Sequence, residues 1–239
     1  IENDITSKGR QPKDFAVLYR TNAQSRMIEE MLLRRSVPYR VVGGLKFYQR
    51  KEVKDVIAYI RVLANPFDSL ALDRIANVPP RGIGDTTLER WKQAATRDGY
   101  DFLTIAGMLR TDGSELREGK IKAIQVFADL FTRWKTYIEH TEGLLFSRLL
   151  QKVADESGLM KSFEEEGKQE ALARVENIQE LFSVAKKYDT MSVQEAIPQF
   201  LEEVSLASDT DDLGHEGVQL MTVHSAKGLE FPVVFIVGL

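Results

Sequence analysis

The sequence predicts an α/β chain in which a parallel-sheet domain is interrupted by a large all-α insertion. Short apolar runs at both ends, Phe15–Tyr19 and Val233–Val237 among them, read as buried strands. The middle carries helix after helix with apolar residues three or four apart. A polar connector without periodicity, Ser208-Asp209-Thr210-Asp211-Asp212-Leu213-Gly214, then returns the chain to the sheet.

Taken in order, Phe15-Ala16-Val17-Leu18-Tyr19 is the first strand. Asn22 to Arg35 follows as a helix, with Met27, Met31 and Leu32, or Ile28 and Leu32, at helical spacing. Tyr39–Val42, closed by Gly43-Gly44, completes a βαβ unit whose helix covers one face of a mostly parallel sheet. Lys51 to Ala64 is a helix stopped by Asn65-Pro66. Glu115–Glu139 aligns Ile121, Ile124, Phe127, Phe131, Trp134 and Ile138, and Gln169–Lys187 aligns Leu172, Val175, Ile178, Leu181, Phe182 and Ala185. Ser192-Val193-Gln194-Glu195 is a capping-box start for a last helix, whose early turns Pro198 is expected to distort. Val218–Val223 and Val233–Val237 supply two more strands. Aromatic residues on these stripes are read as core. The first residue is not Met and the last two are Gly238-Leu239, so the chain reads as a piece of something longer.

At 239 residues, 43% hydrophobic and 28% charged, the composition is that of an ordinary globular protein. It has no cysteine, which excludes disulfides and thiolate metal sites. Its three histidines, His140, His215 and His224, are too scattered in sequence to suggest zinc. No apolar run is long enough to cross a membrane and no signal peptide opens the chain, so the expected compartment is cytoplasmic. The net charge of −4 speaks against indiscriminate coating of nucleic acid. From Arg10 to Arg61, however, twelve basic residues face five acidic ones, and no Lys or Arg falls between Lys187 and Lys227. That asymmetry fits a basic nucleic-acid face, and equally a solvated helix surface.

No G-x-x-x-x-G-K-[ST] loop is present: Gly119-Lys120 runs into Ile121 and Gly167-Lys168 into Gln169. No apolar strand ends in a paired Asp-Glu for Mg²⁺, so the chain alone is not expected to hydrolyse a nucleotide. Three other stretches carry candidate chemistry. Pro79-Pro80-Arg81-Gly82-Ile83-Gly84-Asp85-Thr86 reads as a hairpin between helices, the second capped by Asp85 or Thr86. Its open N–H groups suit a DNA phosphate, and a plain tight turn is the alternative. Tyr19-Arg20-Thr21-Asn22-Ala23-Gln24-Ser25-Arg26 lies at the carboxyl end of a strand, where open α/β sheets bind ligands; helix capping explains the same residues. In Thr222–Phe231, His224 offers a phosphate donor, Lys227 a point charge and Glu230 an acceptor for a ribose hydroxyl. A Ser225–His224 nucleophile pair is rejected, because neighbours on a strand face opposite ways.

The run Thr222-Val223-His224-Ser225-Ala226-Lys227-Gly228-Leu229-Glu230-Phe231 resembles motif V of the superfamily 1 DNA helicases of the UvrD/Rep/PcrA type. Phe15–Arg26 resembles the family's segment after motif IV, and Gly43–Asp55 the block leading into its inserted 2B domain. Gly82-Ile83-Gly84 is similar to the 2B hairpin that grips duplex DNA. The resemblance implies a partial RecA-like (P-loop NTPase-like) domain 2A at 1–50, a helical 2B insertion at 51–207, and a linker and return to 2A at 208–239. It implies an ATP-dependent 3′–5′ helicase that translocates on single-stranded DNA and unwinds duplex without reading sequence, with hinges near Gly43-Gly44 and Ser208–Gly217. Single-strand or duplex contacts fall on Arg20, Asn22, Arg26, Lys46, Arg50, His224, Gly82, Ile83, Gly84 and Thr86. Lys227, Gly228 and Glu230 fall at the ATP cleft. ATP and Mg²⁺ would be held mainly by the 1A/1B domains and the rest of 2A, since Walker A and B and motifs III and VI are absent here. Two other roles remain open: a regulatory module that docks protein partners through 2B, and a helicase–nuclease subunit of the RecB or AddA type.

Overall fold

The computed structural model describes residues 1–112, 116–167, 169–209 and 217–238. Helix α1 (Glu2–Lys8) leads into β1 (Phe15–Tyr19), α2 (Ser25–Arg34) and β2 (Tyr39–Val41). Among the described residues there follow α3 (Lys51–Ala64), α4 (Ser69–Ile75), α5 (Asp85–Asp98), α6 (Phe102–Met108), α7 (Glu118–His140), α8 (Phe146–Glu156), α9 (Leu159–Glu166), α10 (Gln169–Ala185) and α11 (Val193–Asp209). The chain then returns through β3 (Val218–Thr222) and β4 (Val233–Ile236).

The four strands form one sheet in the order β2-β3-β1-β4, and every pairing is parallel. Val17 of β1 sits opposite Leu220 on one side and Phe235 on the other. A strand from the far end of the chain therefore separates the two strands of the predicted βαβ unit. Parallel pairing sends every carboxyl end to the same edge, and that is what gathers the first site described below. Phe15, Val17, Tyr19, Leu32, Val37, Val218 and Leu220 form the sheet's own core. On α2 the inward stripe is Leu32 with the half-buried Ile28, whereas Met27 and Met31 face solvent. Val234, Phe235 and Ile236 on the edge strand β4 are exposed.

A second, larger core fills the helical unit and extends from Phe47 to Val204. Tyr59, Phe127, Phe131 and Trp134 stack there without solvent exposure, with Phe131 and Trp134 edge to face at 5.0 Å. The α7 stripe buries Ile121, Ile124, Phe127, Phe131 and Trp134 as its spacing requires, and leaves Ile138 at its end half-buried. On α10, Ile178, Leu181 and Ala185 are buried but Leu172 is exposed, because the buried face runs through Ala171 instead, about 100° away around the helix. The Ser192 and Glu195 side chains each accept the other's backbone N–H, at 3.3 and 3.1 Å, which starts α11. Pro198 does not interrupt that helix: Val193–Asp209 runs through it, and only the one hydrogen bond that its missing N–H would give the Gln194 carbonyl is lost. Ser208 and Asp209 extend α11 instead of opening the connector, while Thr210–Glu216, with most of the expected hinge, and Glu115 lie outside the described residues.

Candidate nucleic-acid interface

The carboxyl ends of the strands carry the first site. Gln24 folds back so that its side-chain oxygen accepts the N–H groups of Arg20 and Thr21 at 2.9 and 3.1 Å. This tight loop leaves the Arg20 and Asn22 side chains exposed at the end of β1. After β2, Gly43 turns with φ +75°, and a Cβ there would stand 3.1 Å from the Ser225 hydroxyl. A Cβ on Gly44 would stand 3.8 Å from the Asn22 side-chain oxygen. Gly43 is thus what lets the β2 end lie against the turn after β3, whereas a Cβ on Gly44 would make only ordinary contact. The turn after β3 is fixed by its own polar groups. Ser225 N–H donates to Thr222 Oγ1 at 3.2 Å, the two hydroxyls meet at 2.9 Å, and Ala226 N–H reaches the Thr222 carbonyl at 3.1 Å. At the end of β4, the Gly238 carbonyl accepts from Gln24 Nε2 at 3.4 Å.

Four strand ends therefore bring Arg20, Asn22 and the Thr222–Phe231 turn to one edge. His224, Lys227 and Glu230 project from this turn into solvent, with no side-chain partner among the described residues. A hydrogen-bond donor, a cation and a carboxylate are thus free at a loop whose backbone is already tied. Ser225 and His224 lie in the turn, not on a strand as the rejection of a nucleophile pair assumed. The rejection itself stands on firmer ground, since the Ser225 hydroxyl is engaged by Thr222.

Arg26 and Arg50 do not lie on that edge. Arg26 is 9% exposed and is clamped between Glu30 of its own helix and Glu180 of α10. Arg50 is 6% exposed: it donates to Asn177 Oδ1 and Ser25 Oγ, each at 2.7 Å, and to the Leu45 carbonyl at 3.2 Å. Asn177 in turn donates to Glu52, and Glu29 accepts from Ser25 and from the Phe47 N–H. Both arginines thus belong to a polar seam that fastens the sheet unit to the helical unit, which corrects their expected placement as open DNA contacts. The physical reason is carboxylate supply: each guanidinium finds acceptors inside the fold. Lys46 is half-buried, with its ammonium 5.5 Å from the centre of the Tyr39 ring.

A second site is the hairpin between α4 and α5. Gly82 adopts φ +75°, and Gly84 is extended (φ −80°) and serves as the N-cap of α5 without any side-chain cap. The expected cap by Asp85 or Thr86 is not formed; both lie inside the first turn. Ile83 is buried, so it anchors the hairpin in the helical core and does not present itself to a ligand. Gly82, Gly84 and Thr86 are exposed, and their N–H groups meet no acceptor among the described residues. Lys120, on the first turn of α7, donates to the Gly82 carbonyl at 2.7 Å. Sequence reasoning passed over this lysine, because Gly119-Lys120 fails as a phosphate loop and lies 38 positions from the hairpin.

Comparison with known proteins gives a consistent picture. The UvrD-like helicase C-terminal domain family matches residues 1–239. An ATP-dependent DNA helicase PcrA of Staphylococcus aureus (strain Mu50 / ATCC 700699) is 39% identical over 234 residues, covering 97% of this chain and 31% of its own length. The protein of the same name from Bacillus subtilis (strain 168) is 38% identical over 239 residues, 96% of this chain and 32% of its own. The one from Leuconostoc citreum is 40% identical over 234 residues, 95% and 31% respectively. The chain thus spans under a third of the length of the curated relatives it matches.

Proposed function

The chain belongs to the UvrD-like helicase C-terminal domain family, and from that membership we propose that it forms the 2A/2B part of an ATP-dependent DNA helicase working 3′ to 5′. The proposed division is 2A at 1–50 and 208–239, with 2B at 51–207. The separate sheet and helical cores support it. The observation that carries the reading is the gathering of the Arg20, Asn22 and His224 side chains at the shared end of parallel strands, exposed and without a hydrogen-bond partner among the described residues. In this reading they hold the backbone of single-stranded DNA, and the Gly82–Gly84 hairpin with Thr86 holds a duplex phosphate, Lys120 adding its charge. Contacts of this kind read no bases, so binding is sequence-independent and weakens with salt. Cytoplasmic DNA is the substrate proposed.

Lys227, Gly228 and Glu230 fit one wall of a nucleotide site. A free ammonium suits phosphate, a free carboxylate suits a ribose hydroxyl, and Gly228, at φ +82°, keeps the turn between them short. ATP, bound there, supplies the free energy of the cycle. The chain's part is to orient the nucleotide and to hold DNA against it. The family resemblance is what assigns Mg²⁺ mainly to domains 1A/1B and the rest of 2A; among the described residues no group of three or more His, Asp or Glu could hold a metal ion. No described helix is long and apolar enough to cross a membrane.

The test is fluorescence anisotropy with a single-stranded oligonucleotide, comparing the chain with Arg20→Ala, Asn22→Ala and His224→Ala. Each exposed side chain should cost affinity without changing the unfolding midpoint. Unaltered affinity in all three variants would reject the strand-end site.

A further inference from the structure

The hairpin's outward amides are set by two side chains that point the other way. Asn77 Oδ1 accepts the N–H of Arg81 at 2.7 Å and that of Ile83 at 3.2 Å. Alternate amides are thereby taken up by Asn77, while those of Gly82 and Gly84 meet no acceptor among the described residues. Arg81, for all its basic charge, is spent inside the fold. Its Nη1 donates to the carbonyls of Ile75 and Pro79 at 3.2 and 3.1 Å. Its Nη2 donates to the Tyr59 hydroxyl at 2.7 Å and to the Ser157 carbonyl at 2.6 Å. The guanidinium also lies 5.3 Å from the centre of the Phe127 ring. Tyr59 passes the connection on, donating to the Val78 carbonyl at 2.6 Å. One planar fork therefore joins the end of α4, the hairpin, α3 and the turn before α9. A lysine has the charge but not the fork.

We infer that Arg81 and Asn77 are positioning residues for the grip on duplex DNA: they fix which hairpin amides face the phosphate, and neither touches it. The inference rests on the reading of the hairpin as a phosphate holder. Phosphate affinity at backbone N–H groups depends on their common direction, which a loop with two glycines does not keep by itself. Asn77 is exposed and Arg81 half-buried, yet Asn77 spends its side-chain oxygen on two hairpin amides, and Arg81 its guanidinium on the Pro79 carbonyl and on the elements that frame the loop.

The test measures binding of a tailed hairpin duplex and of a single-stranded oligonucleotide by the 239-residue chain across a salt series. Variants are Asn77→Ala, Arg81→Lys and Arg81→Gln, with Lys120→Ala alongside, and thermal unfolding establishes that each is folded. Asn77→Ala and Arg81→Lys should each weaken duplex binding roughly tenfold, the equivalent of one hydrogen bond to a charged group, and leave single-strand binding unchanged. Because a positioning residue neutralises no phosphate, Arg81→Gln should shift the salt line without changing its slope, whereas Lys120→Ala should flatten it by about one. Full duplex affinity in folded Asn77→Ala and Arg81→Lys would overturn the inference, as would a slope reduced by about one in Arg81→Gln, the mark of a direct phosphate contact. Should Arg81 variants fail to fold, the exposed Asn77→Ala decides alone. A parent chain with no duplex affinity would remove the hairpin reading itself, an outcome seen without any variant.

Discussion

Arg50 donates to the Asn177 side-chain oxygen at 2.7 Å, joining residues 127 positions apart across the seam between the sheet unit and the helical unit. Burial pushes the guanidinium below the usual arginine value, and Glu29 pulls it back up. Removing one partner of such a buried network strands the others. Arg50→Met should therefore cost about 3–5 kcal/mol in urea unfolding. Adding Glu29→Gln to it should recover part of the loss, because the uncompensated carboxylate is gone. A cost below about 1 kcal/mol would mean that water already reaches the seam.

The two hairpin glycines should respond differently to alanine. Gly82 has φ +75°, so Gly82→Ala strains the backbone by about 1–2 kcal/mol and lowers the unfolding midpoint. Gly84 has an ordinary φ of −80°, and a Cβ there meets nothing within 4 Å. Gly84→Ala should cost at most about 1 kcal/mol, the preference of an N-cap for glycine over alanine, and still weaken duplex binding, since the added methyl occupies the space a phosphate would approach. Undiminished binding would move the duplex contact away from Gly84.

Lys120 is the cation placed at the hairpin, bonded to the Gly82 carbonyl. Lys120→Ala should weaken binding equally on duplexes of different sequence and lower the salt slope by about one. Anisotropy titrations at four salt concentrations measure both. Sequence-dependent losses would indicate a base contact instead.

Stability should also depend on acid at one helix start. Burial raises the Asp101 carboxyl, but the Thr104 hydroxyl and the N–H groups of Thr104 and Leu103 outweigh it and hold the group below the usual aspartate value. The cap of α6 is thus at full strength above the ordinary aspartate pKa and is lost as pH falls through the lowered one. Asp101→Ala should cost about 1 kcal/mol at neutral pH and little in strong acid. Asp101→Asn should keep much of the cap at both. Urea midpoints at pH 7 and pH 3 compare them.

Local chemistry was legible in the sequence wherever neighbours decide the outcome. Asn65-Pro66 ends α3 at Ala64, Ser192 and Glu195 start α11, and the stripe on α7 is buried as spaced. Strand order was not legible, because β3 slots between β1 and β2 by pairing with residues some two hundred positions away. The fate of the basic residues was hidden for the same reason. Arg20 has no carboxylate partner among the described residues, while Arg26 and Arg50 turn inward toward Glu180 and Asn177, which the fold alone brings near. Lys120 was missed at the hairpin for want of any local signal.

The most direct measurement compares the affinity of the chain for a tailed hairpin duplex, the same duplex without its tail, and the tail alone, each across a salt series. If the strand-end edge and the hairpin both hold phosphate, the tailed duplex binds more tightly than either part, whatever its sequence, and its affinity falls most steeply with salt. A folded chain that binds none of the three, or gains nothing from joining tail to duplex, would contradict the two-site account.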